Sequence, residues 1–216
     1  MIRSDSHKFI FLRVPKNASS SLAQWLIMNY TDKDDIYTEV NDGGIPHRGV
    51  NFIRKYSKDS HFIHMKLQEL FNEGVVHKGH LKDYETIAVI RNPLERQLSL
   101  FFFLSRLHGY QPTVEKFRKD FSGGCHMEDT NNQILQTDYT MVDGIDYGTW
   151  WLYENIESHV REFQKKHGEA KSVLGKLKAG ITPLEKINEF YDDKTKNAVY
   201  EYYKKDFDLY KALKGV

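Results

Sequence analysis

The chain has 216 residues, with 31 Lys and Arg against 30 Asp and Glu for a formal charge of +1. That is length enough for a substantial core in a single domain spanning 1–216, without the global field of a nucleic-acid or membrane-surface protein. The single cysteine, Cys125, excludes an intramolecular disulfide and a cysteine-rich zinc site. No apolar stretch approaches the roughly 20 residues of a membrane span; the polar start, Met1 to Lys8, lacks the apolar region of a signal peptide, so the chain reads as cytoplasmic.

Phe9 to Val14 is a nearly continuous apolar run, the pattern of a strand covered on both faces. The octet Pro15-Lys16-Asn17-Ala18-Ser19-Ser20-Ser21-Leu22 follows it and opens a segment in which Leu22, Trp25 and Leu26 recur at helical spacing. Strand, tight loop and helix start make an anion site. The first helical turn leaves backbone N–H groups without intrahelical partners, and the helix dipole adds partial positive charge where Lys16 supplies a full one. Three successive serines add hydroxyl donors. A nucleoside triphosphate loop reads G-x-x-x-x-G-K-[ST]; here the lysine comes first and no glycine follows, so this is a different phosphate loop.

Residues 31 to 60 read as an irregular excursion with a short helix around Val50 to Tyr56. His61 to Met65 reads as a second strand and Thr86 to Ile90 as a third, which ends in the turn Arg91-Asn92-Pro93. Pro93 suits the first turn of a helix that carries Leu94, Leu98, Phe101 and Phe102 on one face and runs to about Leu107. Further helices are predicted over Val114 to Phe121, around Asn131 to Leu135, over Trp151 to Lys166 and from about Asp193 to Leu213. Strands joined by helices indicate an α/β fold with a central parallel sheet, whose ligands sit outside the carboxyl ends of the strands. Lys16 and Arg91 both follow such ends, so the two basic turns are expected to line one crevice.

With those turns in place the chain resembles the sulfotransferases that use 3′-phosphoadenosine 5′-phosphosulfate (PAPS), specifically the carbohydrate-type branch that includes heparan sulfate 2-O-sulfotransferases. Val14 to Leu22 is similar to that family's 5′-phosphosulfate loop, P-K-x-[AG]-[ST]-[ST]-S, with Ala18 where many members carry glycine. Val89 to Ser99 is similar to its 3′-phosphate motif, with Arg91 and Ser99 eight positions apart. Gly79-His80 resembles the dipeptide whose histidine is the catalytic base in the 2-O branch, Asn132-Gln133 resembles a recurrent N-Q element, and Tyr203 to Tyr210 is like the terminal helix. The resemblance implies a three-layer, P-loop-like sulfotransferase fold.

It also implies sulfuryl transfer in line from PAPS to an acceptor hydroxyl, that of a carbohydrate, with PAP as product and no metal. Lys16 would neutralise charge on the leaving phosphate. Asn17, Ala18, Ser19, Ser20 and Ser21 would hold the 5′-phosphate and the sulfonate, Arg91 and Ser99 the 3′-phosphate. His80 would act as general base, with His47, His64, His77 and His126 as possible substitutes. The bland alternatives are a helix cap for the serines, an ion pair with Glu95 for Arg91 and a structural role for Arg96. At the level of function the alternatives are a PAP(S)-binding module without turnover and a P-loop kinase-like phosphotransferase, which the lysine-first loop disfavours. The expected partners are the small nucleotide donor and a hydroxyl acceptor, with no nucleic acid and no membrane span.

Overall fold

The computed structural model describes residues 1–32, 35–37, 64–122, 134–175 and 184–215. In chain order the strands are β1 (Ile2–Ser4), β2 (Phe9–Phe11), β3 (Ile36–Tyr37), β4 (Glu85–Ile90), β5 (Met141–Val142), β6 (Ile145–Asp146) and β7 (Gly148–Leu152). The helices are α1 (Ser19–Tyr30), α2 (Leu67–Asn72), α3 (Lys78–Asp83), α4 (Pro93–His108), α5 (Val114–Ser122), α6 (Ile156–His167), α7 (Leu184–Phe190), α8 (Asp193–Tyr202) and α9 (Lys204–Lys214), with 3₁₀ turns at Gln136–Thr140 and Tyr153–Asn155. These elements fall into two compact units, residues 1–90 with 138–178, and residues 91–137 with 179–216.

The first unit is built on a five-stranded sheet of order β3-β1-β2-β4-β7. β2, β4 and β7 are parallel, with Phe11 opposite Ile87 and Val89 opposite Trp151, while β1 runs antiparallel to both β2 and β3. The sheet is therefore mixed, and mostly parallel in the sense that only β1 points the other way. One face, with Phe9, Phe11, Ile87, Val89 and Trp151, packs on Leu22, Trp25 and Leu26 of α1 and on Ile156, Val160 and Phe163 of α6. Ile10, Ala88, Ile90, Trp150 and Leu152, which alternate with them, are buried as well. Burial of both faces explains why β2 and β4 read as unbroken apolar runs.

Besides the two-residue β3, β5 and β6, two strands depart from the sequence reading. β1 lies in the polar start, where only Ile2 of its three residues is apolar. β7 takes Trp151 and Leu152, which the periodicity assigned to a helix; α6 begins at Ile156 instead. Trp150 and Trp151 are strand-favouring aromatics, and the pairing of Trp151 with Val89 and of Leu152 with Ile90 of β4 outweighs the helical register. Residues 61–63 of the expected second strand and the helix expected at 50–56 lie outside the described residues, and His64 sits in a turn.

The second unit is helical. Leu98, Leu100, Phe101 and Leu104 of α4 pack with Phe117 of α5, Ile187 and Phe190 of α7, Val199 of α8 and Phe207 of α9. α4 starts as its sequence dictates: the Asn92 side chain caps by accepting from the Leu94 N–H at 3.0 Å, and Pro93 takes the first turn. It stops at Gly109, whose φ of 70° is the left-handed C-cap. The single helix expected over 193–213 divides at Tyr203, a buried residue between α8 and α9.

Candidate functional site

In the first unit the basic loop after β2 is tied to the neighbouring strand. The ladder between β2 and β4 ends with the Leu12 N–H donating to the Ile87 carbonyl at 2.9 Å. The Val14 N–H, next in register, instead turns back on the Leu12 carbonyl at 3.2 Å. The Val89 carbonyl would then lack its ladder donor. The Asn17 side chain, fully buried, supplies one, its Nδ2 donating to Val89 O at 2.6 Å. Asn17 is thus a loop anchor, its side chain turned into the fold.

On either side of Asn17 the backbone is left-handed, with φ of 67° at Lys16 and 57° at Ala18. For a residue with a Cβ this conformation costs about 1–2 kcal/mol, and the anchor holds it in place. The reversal brings the chain into α1 at Ser19. Ala18, at the N-cap, has no side chain that can cap, and the first turn carries no acidic residue. The helix start is left electropositive, with Lys16 half-buried beside it. Ser19 is buried, and Ser20 and Ser21 are half-buried. The buried Arg13 donates through Nη2 to Ser20 Oγ at 3.0 Å, adding a second cation behind the loop.

A histidine also meets this loop, and it is His64. Its Nδ1 is hydrogen-bonded to the Arg13 carbonyl oxygen, three residues before Lys16. A carbonyl only accepts, so Nδ1 carries the proton and Nε2 is the basic nitrogen of the neutral ring. His80 lies elsewhere. It sits in α3, ahead of the first residue of β4, with its ring 4.8 Å from that of Tyr84, whose hydroxyl donates to Asp5 in the turn before β2. Lys16 follows the far end of β2. β4, parallel to β2, spans about 17 Å between those two edges at 3.3 Å per residue. His80 Nδ1 further accepts the His77 N–H at 3.0 Å, closing a capping box. Burial lowers its pKa, with Arg3 adding to the effect. His80 is thus a helix-start residue placed before β4, at the end of the strands away from the Lys16 loop.

In the second unit Glu95 and Ser99 lie four residues apart on one face of α4, and Arg91 stands just before the Asn92 cap of that helix. Arg91 is buried, and its Nε pairs with Glu95 Oε2 at 3.2 Å, so terminal guanidinium nitrogens would have to meet any phosphate. Ser99 is half-buried. The main chain of Arg91 is gripped on both sides by one side chain. Gln136 Oε1 accepts from the Arg91 N–H at 3.0 Å, and Gln136 Nε2 donates to the Arg91 carbonyl at 2.9 Å. Asp206 of α9, fully buried, accepts from the N–H groups of Gln136 and Thr137 and from the Thr137 hydroxyl. Burial pushes its carboxyl above the usual range against the pull of Arg96 and of these donors. Arg96 is buried, donating to the Ile134 carbonyl, a structural role.

Sequence reasoning missed Gln136 and Asp206. Asp206 had a signal: it stands among Tyr203, Phe207 and Tyr210 on the apolar face of its helix, where an acid needs a partner. Asn132, Gln133, Cys125, His47 and His126 lie outside the described residues. Among the described residues no cluster of His, Cys, Asp and Glu could hold a metal ion, and no helix is long and apolar enough to cross a membrane.

No curated protein and no solved structure matches the chain. The profile of the Sulfotransferase family matches residues 1–167, which take in the basic loop, α1, β4, Arg91 and Ser99. The chain belongs to the sulfotransferase family.

Proposed function

We propose that the chain transfers a sulfuryl group from PAPS to an acceptor hydroxyl, releasing PAP. The observation that carries this reading is the loop from Leu12 to Ser21. Its left-handed Lys16 and Ala18, anchored Asn17 and uncapped helix start make a cationic loop whose chemistry suits a phosphosulfate. Backbone N–H groups from Asn17 to Ser21 and the serine hydroxyls hold the 5′-phosphate and the sulfonate. Arg91 and Ser99 hold the 3′-phosphate.

In the reaction the bond from sulfur to the bridging oxygen of the 5′-phosphate breaks, and a bond from sulfur to the acceptor oxygen forms. Lys16 neutralises the charge that appears on the bridging oxygen. The acceptor proton goes to a base, and we assign this to His64 Nε2, because its other nitrogen is fixed on Arg13 O next to the loop. The resemblance to carbohydrate-type enzymes favours a sugar hydroxyl as acceptor. Its 2-O element, Gly79-His80, lends no support to that finer branch, because His80 occupies the other sheet edge.

The test is transfer of label from sulfur-labelled PAPS to a panel of glycans and small alcohols. Wild type is expected to label an acceptor, His64→Ala to lose at least about a hundredfold in kcat, as removal of a general base does, and His80→Ala to keep most of its rate. Loss with His80→Ala and retention with His64→Ala would overturn the base assignment. Absence of transfer by wild type to every acceptor would overturn the enzyme reading.

A further inference from the structure

We infer that Gln136 and Asp206 are positioning residues that set the preference of this protein for a donor bearing a 3′-phosphate. The inference rests on the reading above that Arg91 meets that phosphate. Arg91 occupies a corner, between the last residue of β4 and the Asn92 cap of α4, where no strand or helix ladder fixes its backbone. Gln136 replaces the ladder. Its carboxamide takes both main-chain groups of Arg91, the N–H at 3.0 Å and the carbonyl at 2.9 Å, and so fixes the peptide planes from which the guanidinium projects.

Gln136 is itself held from behind. Asp206 Oδ2 accepts the Gln136 N–H at 2.8 Å, and Oδ1 accepts the N–H and hydroxyl of Thr137, both at 3.0 Å. Both Gln136 and Asp206 have no solvent exposure. Burying a carboxylate is costly even when it is hydrogen-bonded, and an apolar residue packs an aromatic helix face at less expense. What the acid adds is direction: three bonds orient the Gln136 backbone so that its side chain reaches Arg91. The path from α9 to the guanidinium thus runs through hydrogen bonds of defined geometry, and Arg96 faces Asp206 as the opposing charge. A bidentate guanidinium–phosphate pair tolerates little misorientation, so loosening the corner weakens that pair before any other contact to the nucleotide.

The experiment compares calorimetric affinities for adenosine 3′,5′-bisphosphate and for 5′-AMP, which lacks the 3′-phosphate, in wild type, Gln136→Leu and Thr137→Val. Wild type is expected to prefer the bisphosphate. Gln136→Leu, which removes the amide, should lose about tenfold or more in bisphosphate affinity while 5′-AMP affinity stays within twofold. Thr137→Val removes one of the three bonds to Asp206 and should give a smaller loss in the same direction, so it carries the test if Gln136→Leu does not fold. A merely structural role would weaken both ligands together, and that result, or an unchanged preference in the variants, overturns the inference while leaving the donor reading intact. A wild type that binds both ligands equally overturns the donor reading itself, and this inference with it.

Discussion

Replacing Asn17 by alanine tests the strongest physical statement about the basic loop, that a side-chain amide substitutes for a missing ladder donor. Asn17 and Val89 are both buried, at 0% and 1% exposure, and Nδ2 donates to Val89 O at 2.6 Å. Removal leaves a buried carbonyl short of its donor, which costs about 1–3 kcal/mol. For a chain of this size each kcal/mol lowers Tm by about 2–4 °C, so a fall of roughly 2–12 °C is expected. The left-handed conformations of Lys16 and Ala18 lose their anchor at the same time, so PAP affinity should drop along with stability. Urea unfolding followed by circular dichroism gives the stability change, and calorimetry on the folded variant gives the affinity. Asn17→Asp keeps the shape but sets an acceptor against an acceptor, and should be at least as harmful at neutral pH. An Asn17→Ala protein within about 0.5 kcal/mol of wild type, the usual range of an inconsequential surface change, would refute the reasoning.

Other substitutions probe separate parts of the account. Ala18→Gly removes the Cβ penalty at φ 57° but loosens the unfolded chain, so unfolding should leave it within about 1 kcal/mol of wild type. Ala18→Val should destabilise it by more than that, because a β-branched residue fits the left-handed region worst. Gly148→Ala should lose about 1–3 kcal/mol in denaturant unfolding, as its Cβ would lie 2.7 Å from Trp150 Nε1 and 2.8 Å from Thr140 Cγ2. The pH dependence of stability should carry a histidine contribution from His159, whose pKa burial lowers from 6.5 and whose Nε2 accepts the Leu152 N–H at 3.1 Å. The folded state prefers the neutral ring, so this contribution is complete above pH 6.5 and is lost as pH falls through the lowered folded value. His159→Gln, which keeps an acceptor without a titration in that window, should flatten unfolding curves taken between pH 5 and 7.

The contrast between Lys16 and His80 shows how far the sequence reached. Loop, helix start and the Asn92-Pro93 start of α4 are set by residues adjacent in the chain, so Pro15 to Leu22 and Arg91 to Leu98 declared their local structure directly. Which histidine meets the loop is a tertiary question. His64 and His80 differ in sequence only by neighbours, yet the parallel register of β2 and β4 puts the residues before β4 on the edge away from Lys16. β7 was hidden because Trp151 and Leu152 fit the helical stripe of α6 as well as a strand, and only pairing with Val89 and Ile90 decides between them. The grip of Gln136 on Arg91 and of Asp206 on Gln136 joins partners 45 and 70 residues apart, which no local pattern encodes.

Whether the Lys16 loop holds the nucleotide is decided by one calorimetric titration, adenosine 3′,5′-bisphosphate into the wild-type chain and into Lys16→Ala. Saturable one-to-one binding by wild type that weakens at least about tenfold in the variant, the loss of one charge-assisted contact, is the predicted result. No heat with wild type, or equal affinity in the two proteins, would contradict it.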